Sequence, residues 1–90
     1  MLPFQDREFP DYTVRIFNRL IPEEELKWHI DEEDRWISPL GETDWLLQFD
    51  NKLPQRLKQG EAVFIPKGLY HRVIKGKGNF VITIRKSGSQ

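Results

Sequence analysis

Gly60-Glu61-Ala62-Val63-Phe64-Ile65-Pro66-Lys67-Gly68-Leu69-Tyr70-His71 is the stretch on which the reading of this chain turns. Gly60 can take the positive φ of a tight turn, Ala62 to Ile65 suits a buried strand, and Pro66 followed by Gly68 forces a second reversal before the next strand. His71 is thereby delivered to a strand start beside a turn. An imidazole fixed in that way on a rigid sheet is positioned to hold a metal or a ligand, as one on a free loop is not.

Strand and turn signals continue in both directions. Towards the C-terminus, Tyr70 to Lys75 reads as a strand, Lys75-Gly76-Lys77-Gly78-Asn79 as a glycine turn and Phe80 to Arg85 as the last long strand. Towards the N-terminus, Gln55 to Lys58 reads as a polar strand near an edge, Asp50-Asn51-Lys52 as a tight turn, and Asp44 to Phe49 and Arg35 to Leu40 as strands. Leu26 to Asp31 alternates, with Leu26, Trp28 and Ile30 on one face and Lys27, His29 and Asp31 on the other. Ile21 to Glu25, with Pro22 ahead of three glutamates, reads as a turn or a single helical turn, and Tyr12 to Phe17 as the first strand. The organisation expected is an extended N-terminal arm over residues 1–11, one domain over 12–86 and a frayed end over 87–90. Eight or so short strands with turn residues between them, and no long helix, describe an all-β sandwich or barrel.

The spacing of Gly60, Pro66, Gly68 and His71 resembles the second signature of the cupins, small antiparallel β-barrels of the double-stranded β-helix (jelly-roll) type. Lys75 stands where that signature ends in asparagine. The first signature of the family, His-x-His, three or four residues, glutamate, six residues and glycine, falls on the segment from His29 to Gly41. Asp31 occupies the place of the second histidine, Arg35 that of the glutamate, and Gly41 arrives one residue early. The resemblance spans roughly Leu26 to Lys86 and implies a small single-domain cupin whose barrel interior carries the site.

His29 and Asp31 point the same way from one strand, and the barrel topology would bring His71 towards them across the mouth. Two imidazoles and a carboxylate form the facial set of non-haem iron enzymes and equally suit manganese, nickel or zinc. The alternative is a pair of structural histidines bonded to backbone or to Asp31. Arg35 sharpens the choice, because a guanidinium stays charged and cannot ligate a cation. Either Arg35 turns outward while Glu33 or Asp34 supplies a carboxylate, so that His29, Asp31, His71 and Asp34 hold the metal; or Arg35 pairs with Asp31 and the cavity takes an anionic molecule without a metal. Arg35, Trp36 and Phe64 are the expected pocket residues, within an aromatic set that is core material first.

Composition bounds the rest. Ninety residues suit one domain that buries only about 60–65% of its unfolded surface, so pairing into a homodimer would enlarge a small core. Lys+Arg 14 against Asp+Glu 14 gives no net charge, which argues against nucleic acid as a partner. The absence of cysteine removes disulfides, thiolate nucleophiles and sulfur-ligated zinc. No apolar run approaches a membrane span, and Met1 to Pro10 lacks the apolar stretch of a signal peptide, so a cytoplasmic location is expected. The function expected is binding of a divalent metal and a small polar or anionic molecule, with oxygenase, isomerase or lyase chemistry within reach; the alternative is a non-enzymatic binding or interaction module on a metal-free barrel.

Overall fold

A computed structural model describes residues 4–86, so the frayed segment expected at 87–90 and the first three residues of the arm lie outside the described residues. Period-two alternation builds the structure. In the longest strand Phe80, Ile82 and Ile84 are buried while the residues between them are half-exposed, and in the first predicted strand Thr13 and Phe17 are buried at either end. The elements are β1 (Gln5–Glu8), β2 (Thr13–Phe17), a 3₁₀ turn (Glu23–Glu25), β3 (Arg35–Pro39), β4 (Leu46–Phe49), β5 (Gln55–Arg56), β6 (Val63–Ile65), β7 (His71–Ile74) and β8 (Phe80–Lys86). They form a five-stranded sheet in the order β1-β2-β8-β3-β6 and a three-stranded sheet in the order β5-β4-β7, with every pair antiparallel. After β3 the chain passes to the smaller sheet for β4 and β5, returns for β6, crosses again for β7 and ends between β2 and β3 as β8. The expected all-β, antiparallel architecture is present.

The inner faces meet in a core of Phe17, Ile37, Trp45, Leu47, Leu57, Ile65, Phe80, Ile82 and Ile84. Each such side chain, fully buried, contributes on the order of 1.5–3 kcal/mol. The aromatic members gather at one end. Trp45 stacks on Phe80 at 5.0 Å, Phe17 lies 5.6 Å from Trp45 and 5.5 Å from Phe80, and the Trp45 indole N–H donates to the Gly78 carbonyl at 2.8 Å. A buried indole needs such a partner, and the Gly76–Gly78 turn supplies it. Gly76 is needed there for space, because a Cβ would collide with Asp44 Oδ1 and lie 2.8 Å from Cδ1 of the buried Trp45.

Several sequence expectations change in the structure. Residues 26–31 alternate but do not form a strand: their one ladder contact is a bridge between His29 and His71, and the outer side chains Trp28 and Ile30 are exposed with no layer to cover them. Trp36, Phe64 and Tyr70 are likewise exposed rather than core. For Trp36 and Phe64 the reason is register, since each lies between two inward-pointing residues of its strand, and they pair with one another on the outer surface at 4.8 Å. The polar strand shortens to Gln55–Arg56 because Leu57 turns into the core. Within the arm, Gln5–Glu8 pairs with β2 of its own chain as an edge strand. No helix among the described residues is long and apolar enough to cross a membrane.

Candidate metal centre and ligand cavity

The second turn of the Gly60–His71 stretch, at Pro66–Gly68, also builds the site. Gly68 adopts φ +79°, which only glycine takes without strain, and its N–H donates to the Asp31 carbonyl at 3.0 Å. The neighbouring Lys67 N–H donates to Asp34 Oδ1 at 2.7 Å. One turn thus clamps the start of the acidic loop. Three residues after Gly68, the backbones of His29 and His71 exchange both hydrogen bonds at 3.0 Å, a pairing that sets their Cα atoms about 5.5 Å apart with side chains on the same face. The histidines are therefore cross-strand neighbours, rather than partners facing each other across the mouth, and their ring centroids lie 4.3 Å apart.

Both imidazoles are oriented by backbone. His29 Nδ1 lies 2.9 Å from the Lys27 carbonyl and His71 Nδ1 lies 2.8 Å from the Leu69 carbonyl. A carbonyl only accepts, so each Nδ1 carries the hydrogen, and in the neutral ring the lone pair is left on Nε2. Both Nε2 atoms face Asp31: His71 Nε2 stands 3.4 Å from Oδ2 and His29 Nε2 stands 3.9 Å from Oδ1. Asp31 Oδ2 is buried without a hydrogen-bond partner among the described residues. Two ring lone pairs and a carboxylate with one bare oxygen, gathered at these distances, leave a place for a cation among them, and a backbone carbonyl behind each ring is the usual outer support of a metal-binding histidine. One donor atom from each of the three residues lies within 4.8 Å of the others. This donor set fits a divalent metal.

Arg35 turns towards Asp31 rather than outward. Its Nη1 lies 3.3 Å from Asp31 Oδ1 and its Nε donates to Glu33 Oε2 at 2.6 Å. Glu33 is thus spent on the guanidinium and Asp34 on the Lys67 N–H, so the carboxylate expected from the acidic loop does not join the histidines, and Asp34 stands outside the group. Burial pushes the Asp31 carboxyl up, but the contact with His71 and the positive charges of Arg35, His71 and His29 more than reverse this and hold it below the usual carboxylate value. Arg35 engages Oδ1 and leaves Oδ2 bare. The departure at Lys75 also has a local role, since its ammonium donates to the Ile21 carbonyl at 2.7 Å and ties down the turn before Glu23.

Behind this group lies a cavity of about 380 Å³, at the lower end of volumes that hold small ligands. His29, Asp31, Arg35 and His71 line one part, and Phe17, Ile37, Leu47, Ile65, Val73, Ile82 and Ile84 supply most of the wall. Of the expected pocket residues Arg35 lines the cavity, whereas Trp36 and Phe64 face the opposite side of their sheet, for the register reason given above. Three polar lining residues, Arg15, Glu25 and Lys27, were missed as site residues in the sequence. For Arg15 the signal was present: it falls midway between Thr13 and Phe17, so strict alternation in β2 sends a guanidinium inward.

No family model and no curated protein matches the sequence. Solved structures do match the fold. A cupin domain protein from Bordetella pertussis Tohama I superposes with a TM-score of 0.63 at 20% identity, covering 94% of this chain and 92% of its own. A cupin-2 domain protein from Shewanella frigidimarina gives 0.63 at 22% identity, covering 91% and 79%. The DMSP lyase DddQ from Ruegeria pomeroyi gives 0.67 at 15% identity, covering 98% of this chain, which spans 49% of that enzyme. The fold of this chain is the double-stranded β-helix of those cupin structures.

Proposed function

We propose that this cupin barrel binds one divalent metal through His29, Asp31 and His71 and accepts a small anionic molecule in the cavity behind them. The observation that carries the reading is the pair of Nε2 atoms facing the two oxygens of the buried Asp31 carboxylate, of which Oδ2, beside His71, has no hydrogen-bond partner among the described residues. Lys27 and Leu69 carbonyls hold the rings so that neither imidazole must reorganise to ligate. His29, with its side chain about half exposed, stands at the open side, while His71 and Asp31 are buried, which gives the site a wet and a dry face. Arg35, paired with Asp31 and Glu33, also lines the cavity, where its remaining N–H groups can donate to a bound anion. A bound metal would supply Lewis-acid polarisation or an oxygen-binding centre, hence oxygenase, isomerase or lyase chemistry. That a lyase shares the fold is compatible with this range and does not select within it.

A second reading has its own observation. The Arg35–Asp31 contact at 3.3 Å satisfies part of the carboxylate without a metal, which suits a non-enzymatic module that binds an anion in a metal-free barrel. Elemental analysis of protein purified without a histidine tag separates the two. The metal reading expects near-stoichiometric metal that His29→Ala or His71→Ala removes. Absence of metal after growth with iron, manganese, nickel and zinc, together with unchanged stability of both variants, would leave the second reading standing.

A further inference from the structure

We infer that Arg15 is the carboxylate-binding residue of the cavity and that the ligand is an amphipathic monocarboxylic acid with an aliphatic body. This rests on the small-anion reading above and names the class of molecule. Arg15 lines the same cavity as the histidines, but at a different level of the barrel. Its backbone is paired to Ile82, whereas Arg35 is paired to Lys86, four residues further along β8. At strand spacing that is about 13 Å along the strand direction, with two strand intervals of about 4.8 Å between β2 and β3. The inward residues between these levels, Ile37, Ile82 and Ile84, are aliphatic and buried.

The guanidinium is held in advance of any ligand. Its Nε and Nη2 donate to the two oxygens of Asp6 at 2.8 and 2.9 Å, and its carbon sits 3.6 Å over the centre of the Phe4 ring. Five N–H groups are available on the side chain and these bonds use two, so the Nη1 edge has no partner among the described residues. An inward arginine has a desolvation cost that an aliphatic residue would not, and Asp6 alone offsets the charge without using that edge. A carboxylate can bridge the remaining donors. A dianion such as a phosphate monoester would be repelled by Asp6 beside it, which selects the singly charged head group.

Calorimetric titration of the full chain with hexanoate, 1-hexanol and hexyl phosphate, in buffer containing EDTA, tests this independently of metal. Hexanoate is expected to bind at least about tenfold more tightly than 1-hexanol or hexyl phosphate. Arg15→Gln should abolish that preference and leave the 1-hexanol affinity unchanged, whereas Asp6→Asn, which removes the competing charge and frees one of the two bonded donors, should tighten hexanoate several-fold. A merely structural ion pair would give no gain in the Asp6 variant. Equal binding of hexanoate and 1-hexanol by the native chain overturns both this assignment and the small-anion reading. A hexanoate preference that survives Arg15→Gln overturns Arg15 alone. Should Arg15→Gln fail to fold, the Asp6→Asn titration decides, and unchanged or weaker hexanoate binding overturns the assignment.

Discussion

The two ends of the barrel obey different rules. At one end Trp45, Phe80 and Phe17 interlock, each polar atom of the indole is satisfied and the space is filled. At the other, His29, Asp31, Arg35 and His71 crowd together, with a buried carboxylate oxygen left bare. β8 runs from Phe80 to Lys86 between them, so one strand carries the stability of the first end to the chemistry of the second. The contrast teaches where this small chain places its folding energy and where it withholds it: satisfied polar groups lock a core, while unsatisfied ones mark a place prepared for something else.

The contrast breaks most visibly at the filled end. Trp45→Ala should destabilise by about 3–5 kcal/mol, a large share of what a 90-residue domain has, as read by urea unfolding. If instead it costs under 1 kcal/mol, the aromatic end is not the anchor. At the polar end the expected changes are smaller and of mixed sign. Arg35→Met should cost the metal-free protein roughly 1–3 kcal/mol, because Asp31 loses its permanently charged neighbour, yet raise affinity for manganese or zinc by removing a competing charge. Loss of stability without any gain in metal affinity would favour the metal-free module.

Acid should act through Asp31. Its carboxyl lies below the ordinary value in the folded state, so its contribution is fully present above the unfolded value near 3.8 and is lost as pH falls through the folded one. Stability of the native chain should therefore drop more steeply at low pH than that of Asp31→Asn, and the gap between them should close with acidification. Parallel curves would show that the carboxylate gains nothing from its neighbours. The smallest effect is expected on the outer surface: Trp36→Ser should cost no more than about 1 kcal/mol, the loss of one cross-strand aromatic pair, and leave cavity binding unchanged. A change in ligand affinity there would return Trp36 to the pocket.

Local chemistry made much of this legible in advance. Gly60 and Gly68 both take φ +79°, as their turns required, and the strands from Arg35 onward lie on the segments that alternation and turn residues marked, with the fourth and fifth shorter than expected. The His29-x-Asp31 pair and His71 were visible as candidates because one strand period aligns the first two and a turn fixes the third. Trp36 and Phe64 misled because hydrophobicity suggests burial, while the face a residue presents is set by its register with neighbours. Arg15 was overlooked for the converse reason: a charged side chain reads as surface until its two flanking residues are known to be inside.

Covalent and conformational constraints local to the chain, such as positive-φ glycines, proline breaks and side chains alternating at every second residue, were enough to determine an all-β sandwich or barrel, and the resemblance of the Gly60–His71 spacing to the cupin signature singled out the barrel and its two histidines. Which carboxylate answers Arg35, that the two imidazoles stand side by side rather than opposed, and that a second guanidinium faces the same cavity were decided only by the tertiary structure. Pairing between segments far apart in sequence fixes those distances, and electrostatics acts on distances.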